Sequence, residues 1–205
     1  MILEKKMAIR DEIRERFLNN LARVRRMVDT YESSAGKGKG RRSVVETDIL
    51  RAAVVLLHAS LEDLLRSLCE WKMPGANPEA FAEVPLVGTR GKIRFGLQEL
   101  AVFRGQTVDE IIIRSVNEFL EKSSFNHPGD VKSALEKIGV DPSMADTYVR
   151  ILASMMSRRH LIAHRADRNT HRGPGHQAVL SLSKAMFARW VTTVGTFGLE
   201  LLAKL

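Results

Sequence analysis

Apolar residues recur at three- and four-residue intervals along most of this 205-residue chain, and nowhere do they alternate over a useful length. The pattern is densest after Ser43. There Leu50, Val54, Leu57, Leu61, Leu64 and Leu68 form one helical stripe, and Val55, Leu56 and Leu65 widen it beyond a single face. A helix apolar over that much of its circumference must be surrounded by others, so it is predicted to be the central, most buried element of an all-α bundle. Ser43-Val44-Val45-Glu46 is a capping-box pattern that opens it, and Met73-Pro74-Gly75 closes it about 28 residues on.

The same periodicity places the other elements. Ile9, Ile13, Phe17, Leu21, Val24, Val28 and Tyr31 mark a long amphipathic helix over 1–32. The Gly/Lys/Ser segment at 33–43 reads as a flexible basic linker. It lacks both a preceding strand and the G-x-x-x-x-G-K-[ST] spacing that a phosphate loop needs. After an irregular stretch to Gly91, a short helical piece spans 93–103, and a second capping box, Thr107-Val108-Asp109-Glu110, opens a helix through Leu120. A short helix follows at 131–138. Asp141-Pro142 then starts a helix running to about Arg165, and after a polar loop at 167–175 a closing helix is expected over 174–205. The chain thus reads as one all-α domain: long antiparallel helices with short inserted ones, an N-terminal helix, the linker, and a helical core at 44–205.

Composition narrows the class. With 14 Gly, 6 Pro and one Cys, the chain is neither collagen-like nor a disulfide scaffold, and 44% hydrophobic content argues against wholesale disorder. No apolar run approaches the roughly 20 residues of a bilayer span, and the N-terminus lacks the apolar core of a secretory signal. The expectation is a cytoplasmic protein with no membrane association. Cys69 lies among Leu64, Leu65 and Leu68 and reads as a packed thiol without chemistry. The net charge of +8 favours polyanionic partners, nucleic acid first.

The basic groups concentrate in Arg158-Arg159-His160-Leu161-Ile162-Ala163-His164-Arg165, at the end of an otherwise apolar helix. Cations there complement the helix dipole, which accounts for part of the cluster. Arg159 is different. At about 100° per residue it falls within about 60° of Tyr148, Leu152, Met155 and Ile162, on the stripe that faces the core. A guanidinium on that face needs a carboxylate, carbonyl groups or a bound anion, or it must open into a cleft or subunit interface. Glu62 and Asp63 on the central helix are candidate partners, with Asp167 a further one. His160 and His164 share another face, about 100–140° round. A catalytic zinc of the H-E-x-x-H kind is not supported, because Leu161 stands where the Glu belongs, and no metal or cofactor is expected. No Ser lies in a G-x-S-x-G turn.

Arg159-His160-Leu161-Ile162-Ala163-His164 resembles the R-x4-H signature, with a polar residue directly after the Arg, of the HEPN superfamily of all-α ribonucleases. The run from Arg51 through His58, Glu62 and Asp63 to Arg66 looks like the first core helix of its RiboL-PSP branch, and His164-Arg165-Ala166-Asp167 looks like the tail of its motif helix. The resemblance covers 43–205 and leaves the first helix as a decoration. Arg51 with His58 and Arg165 with His171 also fit R-x4-6-H, as chance matches in so basic a chain. The resemblance implies a metal-independent endoribonuclease that acts as a homodimer, with two motifs in one cleft. It implies His164 as general base or acid, Arg159 as stabiliser of the phosphoryl transition state, and His160 as orienting the pair or touching RNA. Glu62 would hold Arg159, with Asp63 beside it, and Arg158 and Arg165 would contact phosphates. A role as a toxin or phage-defence effector, checked by an antitoxin or other regulatory protein, is implied in the same way.

The alternative is a catalytically silent HEPN-like module that binds RNA, a nucleotide or a protein. Arg159 salt-bridged deep in a single chain, with His164 in bulk solvent, would mark that module. Convergence of two motifs across a twofold would mark the nuclease.

Overall fold

The computed structural model describes residues 2–34, 44–89, 96–169 and 179–205. Among these the fold is all-α: α1 (Ile2–Ser34), α2 (Val44–Lys72), α3 (Leu97–Leu100), α4 (Val108–Lys122), α5 (Pro128–Lys137), α6 (Val149–Arg165) and α7 (Lys184–Ala203), with short 3-10 turns between them. Most of the linker expected at 33–43, the Ser43 cap, the start of the 93–103 piece and the greater part of the 167–175 loop lie outside the described residues. No helix among the described residues is long and apolar enough to cross a membrane.

The chain divides into two compact units, Met1–Leu64 with Ala145–Leu205, and Leu65–Met144. The first is built on α1, the N-terminal part of α2, α6 and α7. Leu50, Val54, Leu57 and Leu61 on α2 are fully buried, as the width of the apolar stripe demands. The first helix is no appendage here. Its Phe17, Leu21 and Val24 are buried, and α7 offers them Gly195 and Gly198 three residues apart. A Cβ at Gly198 would collide with the Phe17 ring and with Leu64, so only glycine lets α1 and α7 approach this closely. Trp190 is buried with its indole N–H donated to Ser154 Oγ at 2.7 Å, which joins α7 to α6.

The starts of the last two long helices differ from the sequence-based expectation. The helix expected from Asp141 is interrupted: Asp141 Oδ1 accepts from Ser143 N–H and holds a 3-10 turn over Pro142–Ala145, and α6 begins only at Val149. The closing helix begins at Lys184 rather than 174, where Ser183 Oγ accepts from Met186 N–H. Val179 and Leu182 satisfy a helical spacing, but Val179 instead bridges antiparallel to Arg168, and Leu182 is buried in the extended approach to α7.

In the second unit, α4 opens with the expected capping box. Thr107 Oγ1 accepts from Glu110 N–H, and the Glu110 carboxylate accepts from Thr107 N–H at 2.7 Å, which holds that carboxyl below its usual range. Pro128 starts α5 earlier than expected, because Asp130 accepts from His127 N–H and allows the turn to form ahead of Val131. Cys69 is buried here, and burial pushes its thiol up to about 12, so it stays protonated and inert at neutral pH.

Candidate functional site

All the side chains singled out by the sequence lie in the first unit, on α2, on the last two turns of α6 and just beyond it. The end of α6 sets their geometry. Ala166 and Asp167 both take left-handed backbone angles, φ +47° and +56°, a strain of about 1–2 kcal/mol for each non-glycine residue. It is held in place by hydrogen bonds from the N–H groups of Ala166 and Asp167 to Leu161 O, from Arg168 N–H to Arg165 O and from Leu180 N–H to Asp167 O. This tight reversal brings the Asp167 carboxylate back against the helix it follows.

There Asp167 is fully buried and takes two guanidinium groups on one oxygen. Arg51 Nε on α2 and Arg158 Nη2 on α6 both donate to Asp167 Oδ2 at 2.7 Å. Arg51 also reaches Thr47, Asp48 and the Leu180 carbonyl, while Arg158 reaches the Leu180 and Ser181 carbonyls. The clamp thus ties α2, α6 and the entry to α7 together, with charge-assisted hydrogen bonds offsetting the desolvation of its ions. Arg158, expected to contact phosphate, has its guanidinium committed to this clamp, and its side chain is only 11% exposed.

The neighbouring residue has a different environment. Arg159 is half-buried, 23% exposed, and its Nη2 lies 3.9 Å from Glu62 Oε2. Of the three carboxylates proposed for it, Glu62 is the one it meets, and Asp167 is taken by Arg51 and Arg158. Asp63 instead faces α1, 3.2 Å from Arg16 Nε and 3.4 Å from Asn20 Nδ2. The same Glu62 Oε2 lies 3.3 Å from Nδ1 of His58, one turn earlier on α2. His58 is wholly buried, and neither ring nitrogen makes a hydrogen bond among the described residues. From sequence alone His58 has no role of its own: it is one member of the run that resembles a first core helix, and half of a chance Arg–His match. Its signal was present in the spacing, since His58 and Glu62 are four apart on a helix and therefore share a face.

His160, His164 and Arg165 are exposed. The two imidazole rings lie one turn apart, with centroids 4.7 Å from each other and planes tilted by 45°. Around the end of α6 there are thus three tiers: a buried clamp, the half-buried Arg159 and Glu62 with the buried His58 behind them, and an outer pair of imidazoles beside a further arginine. The arrangement can present a guanidinium and proton-transferring groups to an anionic ligand, with the buried clamp fixing the scaffold beneath. A concavity of about 730 Å³ belongs to the second unit, where Lys72, Glu83 and Lys137 are among its lining residues, and none of the residues named above lines it. Among the described residues no group of three or more His, Cys, Asp or Glu side chains is placed to hold a metal ion.

No protein-family model, no curated protein and no solved structure matches this chain.

Proposed function

We propose that the chain is a HEPN-type endoribonuclease that cleaves RNA without a metal, acting as a homodimer. The observation that carries this reading is the asymmetry at the end of α6. One arginine, Arg158, is consumed by a buried carboxylate. Its neighbour Arg159 lies 3.9 Å from Glu62 and keeps part of its surface in solvent, on the same helix end as the exposed His160 and His164.

In this reading His164 of one copy takes the proton of a ribose 2′-OH. The oxygen attacks the adjacent phosphorus, and the bond to the 5′-oxygen breaks. The leaving oxygen takes a proton from the His164 of the second copy, giving a 2′,3′-cyclic phosphate and a 5′-hydroxyl. Arg159 moves from Glu62 onto a non-bridging phosphate oxygen as charge develops there. His160, stacked at a tilt on His164, orients that imidazole or touches RNA, and Arg165 meets a neighbouring phosphate. DNA is disfavoured as substrate because it lacks the proposed nucleophile. A role as a toxin or phage-defence effector in the cytoplasm, restrained by an antitoxin or other regulatory protein, belongs to the same proposal through the family resemblance.

A second reading, a non-catalytic RNA- or protein-binding module, is favoured by the neutralising contact from Glu62 and by the exposure of His164 in a single chain. One experiment separates the two. Purified protein is incubated with total RNA in EDTA, beside Arg159→Ala and His164→Ala. Cleavage by the wild type alone supports the nuclease. Cleavage that survives both substitutions overturns the site, and loss on chelation overturns the metal-free mechanism. RNA binding without cleavage leaves the binding module.

A further inference from the structure

A fully buried imidazole that makes no hydrogen bond is an unfavourable arrangement, because its ring nitrogens have lost water and gained nothing in exchange. His58 is such a group, wholly buried on α2 beside the fully buried Leu57 and Leu61. The polar group facing it is the Glu62 carboxylate, whose Oε2 lies 3.3 Å from Nδ1 but off the line a hydrogen bond requires in this rotamer. The tautomer protonated on Nδ1 donates to that oxygen after a small rotation of either side chain. The oxygen is the same one that approaches Arg159 Nη2 at 3.9 Å. Glu62 thus lies further from its guanidinium than Asp167 does from either of its arginines, both at 2.7 Å.

We infer that His58 is a positioning residue for RNA cleavage: by donating Nδ1–H to Glu62 Oε2 it fixes that carboxylate, and through it the rest position from which Arg159 moves onto a phosphate. The inference rests on the ribonuclease reading of Arg159. His58 touches no substrate. Without that donor, Glu62 loses one of the contacts that fix its carboxylate and turns more of its charge on Arg159, so the guanidinium is both less well aimed and harder to withdraw. The effect falls on the chemical step rather than on RNA binding, because Arg159 moves onto the phosphate only as charge develops there, while Arg165 stays as it is.

The test uses the full chain and a defined single-stranded RNA. His58→Leu, which keeps an apolar filling and removes the donor, is expected to lower kcat about tenfold or more while KM changes less than about twofold. His58→Asn, whose amide can donate from nearly the position of Nδ1, is expected to recover most of that loss. Equal kcat in wild type and His58→Leu overturns the inference, as does an Asn variant no better than a correctly folded Leu variant. A second arm does not need activity or a His58 variant. In nitrogen-15 NMR the His58 ring is expected to show a protonated Nδ1 and a bare Nε2, and Glu62→Gln is expected to shift Nδ1. A ring indifferent to Glu62→Gln overturns the contact on which the inference stands. Wild-type protein that cuts no RNA overturns the ribonuclease reading and the part assigned to His58 in it, and the ring-nitrogen arm then still reports whether His58 and Glu62 are coupled.

Discussion

Arg158 and Arg159 are adjacent on one helix, yet the chain treats their charges in opposite ways. Arg158 turns toward Asp167, which is completely buried and shared with Arg51 at 2.7 Å from each guanidinium. Arg159, about 100° further round, meets Glu62 at 3.9 Å with 23% of its side chain still exposed. A buried carboxylate held by two cations is a structural tie, since removing it leaves guanidinium groups uncompensated in the interior. A looser contact near solvent contributes little to stability and leaves the cation able to change partners. The comparison teaches that an ion pair's burial and distance, more than the presence of arginine in a motif, separate a charge spent on the fold from one open to a ligand.

The strongest challenge to that contrast is Asp167→Ala. Two largely buried arginines lose their shared acceptor, and the expected loss is about 3–5 kcal/mol of unfolding free energy, read as a lower urea midpoint with an unchanged slope. A loss below about 1 kcal/mol would mean the clamp is no tie at all. Arg159→Ala and His164→Ala form the other side of the comparison. Each is expected to reduce RNA cleavage by about 100-fold or more, corresponding to roughly 2.7–4 kcal/mol of transition-state stabilisation for the arginine, while the urea midpoint stays close to that of the wild type. A variant that loses stability and cleavage together would erase the distinction between the two arginines.

How far the contrast could be read beforehand depends on where each partner lies in the chain. Periodicity alone fixed the central helix to within a residue of Val44 and Lys72, because a wide apolar stripe bounded by Met73-Pro74-Gly75 has no competing interpretation. The Thr107–Glu110 box was legible for the same local reason. Helical geometry also put Arg159 on the core-facing stripe with Glu62 and Asp63 as equal candidate partners and Asp167 as a weaker one; it meets Glu62, while Asp63 faces α1 and Asp167 takes Arg51 and Arg158. The fate of Arg158 was hidden, because its carboxylate follows the helix and is aimed backward by left-handed angles at Ala166 and Asp167, neither of which is glycine. Nothing in a sequence marks two such residues as the site of a reversal. The start of α7 was obscured by an ambiguity of spacing. Val179 and Leu182 are three apart, which suits a helix, while the carbonyls of Leu180 and Ser181 are instead drawn to Arg158 in an extended segment.

The smallest effect belongs to a third arginine, Arg165, and it sharpens the comparison by supplying a charge that is fully outside. Arg165 is exposed in the last turn of α6, where a cation also complements the helix dipole. If it meets a phosphate of single-stranded RNA, Arg165→Ala weakens binding to all sequences alike and makes the plot of log K against log salt shallower by about 0.7, the value for one released counterion. Stability should be untouched. Arg158→Ala, two turns earlier, is expected to do the reverse: a lower unfolding midpoint, and in the folded fraction a salt slope equal to that of the wild type, because a guanidinium held by Asp167 has no counterion to release. Salt titrations of RNA binding by fluorescence anisotropy, run on both variants at a temperature where both are folded, decide the matter. Equal changes of slope in the two would show that the RNA feels the buried charge as strongly as the exposed one, and the division between structural and available arginines would then fail at the place where it was drawn.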